Sequence, residues 1–393
     1  MRGYGSMACV STKSQGRDGG IDIARGLGMI LVIYGHILQV LFHKRMDGGF
    51  SQIAFAQWQA IYSFHMPLFF MISGMIADQF TGKSWKQVVS RSVYFILLAY
   101  IVDVIGTAFV LIQQGASAIS MSMAEDYLIN HIVLAESFST ITPWFLVAFG
   151  IVRLASYAIL RYDGMVRWSI VAILMMSFAL AYQWPNAFHI RAVVPGVVFF
   201  MMGRYLALHP ININALMPGI LLVISAWLAR YNGGCTFSWQ PSCENPELPA
   251  HFAVLMIFGL YGNLPLFFLT AMIGSLAVIG FARLLDNTRL SPVLGFLGRH
   301  SLELLIVNGF YLVFANPFLR NVLDIDDTVV FYVALGSLTI LAHIATLLLV
   351  KRVLLYIERG AQYLAQFSVD LLWLGSERIF GMTKAGRGGP ARF

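Results

Sequence analysis

Long apolar segments, separated by short polar breaks, are the feature that most limits how this chain of 393 residues folds. Only 11% of the residues are charged, against about 25% in soluble globular proteins, so a soluble enzyme is excluded. A helix crosses the hydrocarbon core of a membrane with roughly 20 apolar residues. The pattern predicts an all-α, polytopic integral membrane protein with about ten transmembrane helices, at 23–42, 54–76, 92–113, 142–160, 168–184, 192–208, 215–230, 262–282, 300–316 and 328–350.

The distribution of Lys and Arg predicts the orientation of these helices. When the N-terminus is placed in the cytosol, 21 of the 26 basic residues fall on the inner side of the membrane. Because short cytoplasmic loops carry an excess of Lys and Arg, this bias favours ten spans with both termini cytosolic. It also accounts for the net charge of +7 without nucleic-acid binding, for which the sequence contains no motif.

The chain divides into three predicted regions. Residues 1–20 have no apolar core of the kind found in a signal peptide, and they read as a flexible cytosolic tail. Residues 21–352 form the transmembrane domain. Residues 353–393 are predicted to be a second cytosolic tail, first an amphipathic helix on the membrane surface and then disordered. Within the domain, 251–261 is apolar but too short to span, which favours a re-entrant or interfacial helix.

The first predicted span contains ionisable residues that a bilayer makes costly, and such residues often mark functional sites. Arg25 and His36 are eleven positions apart, which places them on one helix face and about 16 Å apart along the axis. A structural interpretation stays open for both residues. Arg25 is also placed to anchor the span at the cytosolic edge, and His36 to bond a neighbouring helix.

The second predicted span contributes a second histidine within the membrane. His65 precedes Pro67, which loosens the helix at that point, and Ser73 and Gly74 permit close approach of another helix. Ordinary packing with a kink explains Ser73 and Gly74 by themselves. A second intramembrane histidine is more indicative of function.

Two motifs together resemble the membrane-bound acyltransferase-3 family, in particular its fucose 4-O-acetylase-like branch of bacterial polysaccharide O-acetyltransferases. They are DIARGLGMILVIYGH at 22–36 and FHMPLFFMISGM at 64–75. Weaker similarities follow in order: TPWFLVAF at 142–149, FFMMGRYL at 199–206 and LGFLGRHSLELLIVNGF at 294–310. Two family features are absent. Asn308 stands where a histidine is frequent, and a second arginine that often accompanies Arg91 is not evident.

The resemblance implies transfer of an acetyl group from cytosolic acetyl-CoA to a sugar hydroxyl. The implied acceptor is an exopolysaccharide or another cell-surface glycan, lipid-linked or polymeric, at the bacterial inner membrane. It further implies that His36 acts as the general base or accepts the acetyl group covalently. Arg25 would hold a CoA phosphate by charge-assisted hydrogen bonds. Competing interpretations are a transporter or flippase, and a non-catalytic partner in polysaccharide assembly.

Further residues complete the predicted site, each with a structural alternative. With His36, the catalytic set includes His65 and Asp103. Asp103 would orient a catalytic histidine, and the alternative is a structural pairing with a polar group elsewhere. The cofactor-binding set adds Arg91 and Arg153 to Arg25, while arginines at helix ends also serve as anchors. The predicted substrate-binding set consists of Ser73, Trp144 and Glu303. For Trp144 and Glu303 the alternatives are an interfacial anchor and an ion pair with a nearby arginine.

The three cysteines are too few for a disulfide framework. Cys235 and Cys243 flank a loop that the topology places outside, where an oxidising periplasm permits a disulfide between them. The loop is either a lid over a glycan site or a simple connector. No cluster of His, Cys and Asp has the spacing of a metal site, so no metal is expected.

Overall fold

The computed structural model describes residues 19–45, 52–114, 120–211, 214–237, 241–244, 251–315, 318 and 328–379. Apart from one isolated bridge between Leu255 and Leu260, these residues form no β-structure. The fold is therefore all-helical, as the apolar pattern predicts. In chain order the helices are α1 Gly19–Arg45, α2 Gln52–Tyr62, α3 His65–Met75, α4 Asp78–Thr81, α5 Trp85–Gln114, α6 Met121–Asp126, α7 Pro143–Arg161, α8 Gly164–Leu180, α9 Ile190–Leu208, α10 Met217–Ala229, α11 Leu264–Leu285, α12 Ser291–Arg299, α13 Ser301–Phe310 and α14 Val329–Ile379.

Six helical segments among the described residues are long and apolar enough to cross a membrane. The remaining expected spans coincide with shorter pieces, so the count of ten and the cytosolic position of both termini stay predictions. Three apolar helices are shorter than a full span: Gly164–Leu180, Met217–Ala229 and Ser301–Ala315. The six long segments are Gly19–Leu41, Trp85–Gln114, Pro143–Arg161, Ala187–Leu208, Leu264–Leu285 and Val329–Leu374.

The second expected span, 54–76, is broken into α2 and α3 at a turn. The backbone N–H groups of Ser63 and Phe64 bond three residues back, to Ala60 and Ile61, instead of continuing an α-helical ladder. Pro67 lies in the first turn of α3. Backbone N–H groups in a first turn have no acceptor within the helix, so a proline costs no helical hydrogen bond at this position. The break places His65 at the start of a new helix, next to Tyr62 at the end of the previous one.

Two glycine-mediated crossings fix the helices that carry the site. In the first, a Cβ at Gly74 of α3 would lie 1.8 Å from the carbonyl oxygen of Phe200 in α9. In the second, a Cβ at Gly298 of α12 would lie 1.8 Å from the carbonyl oxygen of Asp22 in α1. Neither position tolerates a side chain, because the opposing backbone atoms are already in contact. The crossings hold α1 and α3 at the centre of the bundle.

The helix α14 runs without a break through residue 353, where the second tail is predicted to begin. One face of its second half packs inward, with Ala361 and Ala365 fully buried, while residues such as Tyr356 and Tyr363 on other faces are exposed. Lys86 of α5 forms an ion pair with Asp370, at 2.8 Å, which joins this half to the start of α5. The proposed division at 353 stays a prediction, and residues 1–18 and 380–393, which belong to the predicted tails, lie outside the described residues.

Candidate active site

A cavity of about 630 Å³, named the arginine cavity, opens among α1, α3, α5, α7 and α14. Its wall contains four cationic side chains: Arg25, Lys83, Arg91 and Arg153. The described residues that line it include no Asp or Glu. Concentrated positive charge in a concave site attracts anionic ligands. All three arginines predicted to bind the cofactor therefore meet at one cavity.

A second cavity of about 320 Å³, named the connecting cavity, adjoins the first. The two share wall residues, among them Arg25, Ser73 and Arg91. The rest of its wall is mainly apolar, with side chains such as Met29 and Phe69, but it also contains Arg299, Glu303 and Glu358. It therefore offers a mostly apolar route that leads away from the cationic cluster.

A third cavity of about 180 Å³, named the histidine cavity, adjoins the connecting cavity. These two share Val32, Met66, Phe145 and Leu305 in their walls. The histidine cavity is lined by His36 and His65, the two histidines of the predicted catalytic set. It is also lined by Trp144, one of the three residues predicted to bind substrate. Because each cavity shares a wall with the next, the three form a series, which is called the passage below.

The helix α1 runs along the whole passage. Arg25 lines the arginine and connecting cavities, and His36 lines the histidine cavity. Val32, between them in sequence, lines both of the smaller cavities. The eleven-residue spacing, equivalent to about 16 Å along a helix, thus turns one helix face towards one continuous set of cavities.

His36 contacts two residues that determine what its ring can do. Asn308 of α13 lies beside it, with the amide Nδ2 2.5 Å from the Nδ1 atom of His36. Tyr62 lies edge-on to the ring, with 6.3 Å between the ring centroids. Since Nδ1 is occupied by Asn308, Nε2 is the nitrogen left for chemistry. Within the described chain, no hydrogen-bond partner is recorded at Nε2.

His65 is oriented by its own helix turn. Its Nδ1 lies 2.9 Å from the carbonyl oxygen of Ile61. Because a carbonyl only accepts, Nδ1 carries the proton and donates it, so the neutral ring has its lone pair at Nε2. The ring of Tyr62 packs against His65 at 4.8 Å, while the Tyr62 hydroxyl donates to Gln39 at 2.5 Å. Tyr62 therefore lies between the two histidines and is itself held by α1.

Ser73 and Glu303, both predicted to bind substrate, lie nearer the cationic end of the passage. Ser73 lines the arginine and connecting cavities, and its hydroxyl donates to the Phe69 carbonyl at 2.7 Å. Glu303 lines the connecting cavity, with its carboxylate 3.0 Å from Nδ1 of His300. Lys351 of α14 lies 3.3 Å from the other nitrogen of that ring. Glu303 is therefore paired with a histidine, where an arginine partner was the expected alternative.

Asp103 is fully buried but lies outside the passage. One carboxylate oxygen is 3.0 Å from Nδ1 of His131, and the other accepts the backbone N–H of Ser139 at 2.6 Å. These contacts tie α5 to the segment that follows α6. Asp103 contacts neither His36 nor His65, so the geometry gives no support to a catalytic role. Its contacts with His131 and Ser139 fit the other interpretation, a structural pairing with polar groups.

The short apolar segment 251–261 forms one wall of the histidine cavity. It contains a 3₁₀ turn at Met256–Phe258 and the bridge between Leu255 and Leu260, so it is not the helix that its length and composition predict. Its turn contributes Met256 and Ile257 to the cavity wall. Ile141, which also lies in the wall of this cavity, has a φ of 61°, which is unfavourable for a β-branched residue. Such backbone strain often lies beside functional sites.

Cys235 and Cys243 are joined by a disulfide, with their Cα atoms 5.7 Å apart. The bond closes the loop that the topology places outside. Trp239, at the centre of the loop, lies outside the described residues, so the choice between lid and connector stays open. Among the described residues, no group of three His, Cys, Asp or Glu side chains is arranged to hold a metal ion, and the expectation of no metal stays a prediction.

Sequence reasoning did not identify several residues of the site. Asn308 was recognised as a departure from the family pattern, but its contact with His36 spans 272 positions and leaves no local signal. Tyr62 and Gln39 are ordinary residues near helix ends until the fold brings them together. Lys83 is one of the 21 basic residues predicted on the inner side, and nothing else in the sequence distinguishes it. Polar residues on the buried face of an apolar span are the signal that could have identified Asn308.

Comparisons with known proteins bear on the whole domain. The profile of the Acyl_transf_3 family, described as an acyltransferase domain, matches residues 18–348. Two curated proteins called Nodulation protein NolL are similar over short stretches. The one from Sinorhizobium fredii is 40% identical over 68 residues, which is 17% of this chain and 18% of the relative. The one from Mesorhizobium japonicum is 39% identical over 83 residues, or 21% of each chain. The matches thus cover about a fifth of either relative, and no solved structure matches the chain.

Proposed function

Because this chain belongs to the acyltransferase-3 family, a family of acyltransferase enzymes, we propose that it is a membrane-embedded O-acetyltransferase. It takes the acetyl group from cytosolic acetyl-CoA and places it on a sugar hydroxyl of an exopolysaccharide or another cell-surface glycan. The observation that carries the proposal is the passage, with cationic side chains at one end and His36 and His65 at the other.

The arginine cavity suits the nucleotide part of acetyl-CoA. That part carries three phosphate groups, and Arg25, Arg91 and Arg153 supply planar guanidinium groups that bind phosphate oxygens in pairs. The pantetheine arm is uncharged and extended, and it would follow the connecting cavity along α1. Its length is comparable to the 16 Å or so between Arg25 and His36, so the thioester would reach the histidine cavity.

The histidine cavity supplies the base for the transfer. A sugar hydroxyl is a weak nucleophile, and a histidine that removes its proton during attack on the thioester carbonyl makes the reaction faster. In this scheme the new C–O ester bond forms and the C–S bond breaks. The proton that Nε2 of His36 accepts then goes to the departing CoA thiolate. The alternative is a two-step route. Nε2 of His36 attacks the thioester carbonyl, so that a C–N bond forms as the C–S bond breaks and CoA leaves as the thiolate. The sugar hydroxyl then attacks the acetylated ring, so that the ester C–O bond forms, the C–N bond breaks and the hydroxyl proton passes to the thiolate.

The acceptor enters from the other side of the histidine cavity. At about 180 Å³ the cavity is smaller than usual sites for drug-sized ligands, which favours entry of the reacting sugar unit alone. Trp144 offers an aromatic face to that unit. Lipid-linked and polymeric acceptors both meet this requirement, since the rest of either molecule stays in the membrane or outside. We place the enzyme in the bacterial inner membrane, surrounded by lipid and in contact with other polysaccharide-assembly proteins.

The test is transfer of label from acetyl-CoA by the purified full-length chain in lipid nanodiscs. The acceptor is a glycan-lipid extract from cells that lack the gene. Transfer should require His36, and His36→Ala should lower the rate by about 100- to 10,000-fold, the usual contribution of a general base. The matched control is His209→Ala, since His209 is exposed and lines none of the three cavities.

Two outcomes would contradict the proposal. Full transfer by the His36→Ala variant would remove the histidine from the chemistry. Movement of the glycan-lipid across the bilayer of sealed proteoliposomes, without acetylation, would favour the competing interpretation as a transporter or flippase.

A further inference from the structure

A chain of polar contacts leads from His36 away from the passage into α13 and α14. Asn308 stands between two histidines, with its amide Nδ2 2.5 Å from Nδ1 of His36 and its Oδ1 3.2 Å from Nε2 of His343. The chain ends on the backbone, where Nδ1 of His343 lies 2.8 Å from the carbonyl oxygen of Thr339. Asn308 and His343 are each 1% exposed, so water does not compete for these bonds.

The end of this chain fixes the position of one proton. The Thr339 carbonyl only accepts, so Nδ1 of His343 must donate to it and carries hydrogen. A neutral His343 then has a lone pair at Nε2, which needs a donor from Asn308. The oxygen and nitrogen of a side-chain amide exchange places when the amide turns by 180°, and the hydrogen-bond network determines which arrangement is satisfied.

The two amide arrangements differ in charge. With Nδ2 towards His36, His343 has to donate at both ring nitrogens, which makes it a buried cation within the bundle. With Nδ2 towards His343, each contact joins one donor to one acceptor and both rings are neutral. Burying an unpaired charge costs far more free energy than turning an amide, so the neutral arrangement is favoured.

We propose that Asn308 and His343 are positioning residues that hold His36 as the Nδ1–H tautomer, with the Nε2 lone pair facing the histidine cavity. The inference rests on the proposed function, in which Nε2 of His36 is the base. Thr339 carbonyl accepts from His343, His343 accepts from Asn308, and Asn308 accepts from His36. When His36 takes a proton at Nε2, its Nδ1–H still points at the amide oxygen, so the arrangement also stabilises the protonated ring.

The surroundings hold this chain in place. The ring of Tyr311 packs on His343 with 3.9 Å between centroids, and its hydroxyl lies 2.8 Å from Thr346 on α14. A histidine oriented by an asparagine is a known arrangement in catalysis by cysteine proteases. Here the asparagine is itself oriented by a second histidine. Only one orientation of the amide, with Nδ2 towards His343, satisfies both hydrogen bonds with neutral rings.

The first test reads the tautomer directly and requires no activity. Full-length protein with ¹⁵N-labelled histidine is reconstituted in lipid, and the His36 signals are assigned by their loss in the His36→Gln variant. We expect the proton on Nδ1 in the unsubstituted protein and a mixture of tautomers in Asn308→Leu. Thr339→Val is the matched control, because it removes a buried hydroxyl from α14, the helix of His343, and leaves the backbone carbonyl that His343 contacts. A proton on Nε2 of His36 in the unsubstituted protein overturns the proposal.

The second test separates positioning from structure by kinetics, with labelled acetyl-CoA and the glycan-lipid extract as substrates. Asn308→Leu should lower kcat on the order of 100-fold, as misplacement of a reacting group does, and leave the KM for acetyl-CoA unchanged. Asn308→Asp retains an acceptor for His36 and should recover part of kcat. Equal kcat in Asn308→Leu and the unsubstituted protein overturns the proposal. If the unsubstituted protein itself transfers no acetyl group, the proposed function fails, and the tautomer measurement still decides the inference.

Discussion

Arg25 and His36 lie on one helix, α1, and line the two ends of the same passage. The relationship follows from helix geometry, because eleven residues return to nearly the same face about 16 Å further along. It is also the relationship that makes the passage chemically useful. One residue suits an anion and the other suits proton transfer, so a substrate charged at one end and reactive at the other would be aligned by both.

Replacing Arg25 should weaken donor binding more than it slows chemistry. In Arg25→Gln we expect the KM for acetyl-CoA to rise by about tenfold or more, because a hydrogen bond to a charged group contributes about 1.5–3 kcal/mol. The value of kcat should change little, since the phosphate contact is the same before and during the reaction. Initial rates over a range of acetyl-CoA concentrations measure both.

Arg167→Gln is the matched control for this prediction. Arg167 bonds to Asp163 and to the backbone carbonyls of Ile159 in α7 and Tyr162 after it, and it lines none of the three cavities. Its KM should equal that of the unsubstituted protein. An unchanged KM in Arg25→Gln would show that the arginine cavity is not the donor site.

Much of this site could be predicted from sequence, because its main residues belong to local patterns. Arg25, His36 and His65 stand out as ionisable residues in apolar segments, and the structure brings all three to the passage. Asp103 stands out by the same rule, yet it pairs with His131 outside the passage. An ionisable residue in an apolar segment therefore needs a polar partner or ligand. Only the fold shows whether that partner belongs to the site or to the scaffold.

Sequence reasoning failed in two ways: it missed contacts between residues far apart in the chain, and it misjudged one local backbone conformation. Asn308 reaches His36 across 272 positions, and periodicity contains no information about such a pair. The expected helix at 251–261 was wrong for a local reason. Gly259 adopts a φ of 69°, which ends the turn at Met256–Phe258 and reverses the chain. The break before His65 has a long-range origin instead. The helix α2 packs on α1 and α10, whereas α3 packs mainly on α9 and α11.

Replacing Trp144 should affect the acceptor and leave the donor unaffected. Trp144 lines the histidine cavity and is absent from the walls of the other two. In Trp144→Leu the aromatic face is lost, so we expect a KM for the glycan-lipid acceptor several times higher, with an unchanged KM for acetyl-CoA. Trp144→Phe retains an aromatic ring and should lie between Trp144→Leu and the unsubstituted protein. Equal effects on both substrates would contradict the assignment of this cavity to the acceptor.

Adding one methyl group at Gly74 should destabilise the bundle. The new Cβ would lie 1.8 Å from the carbonyl oxygen of Phe200, so α3 and α9 have to move apart. We expect a free-energy cost of about 1–3 kcal/mol or more for such overpacking, seen as a lower midpoint of thermal unfolding in detergent. Gly219→Ala is the matched control, because Gly219 lies in α10 with open space where its Cβ would be. Equal midpoints for the two variants would contradict the close crossing.

The disulfide between Cys235 and Cys243 allows the predicted orientation to be measured in intact cells. A membrane-impermeant maleimide should label these cysteines only after reduction, because the loop is predicted to face the oxidising side of the membrane. Cys9, in the predicted cytosolic tail, should be labelled only after the membrane is opened, and Cys9→Ser removes that signal. Labelling of Cys9 in intact cells, with protection of Cys235 and Cys243 after reduction, would reverse the topology. The arginine cavity would then face away from cytosolic acetyl-CoA, so the same measurement tests whether the passage is oriented for the proposed reaction.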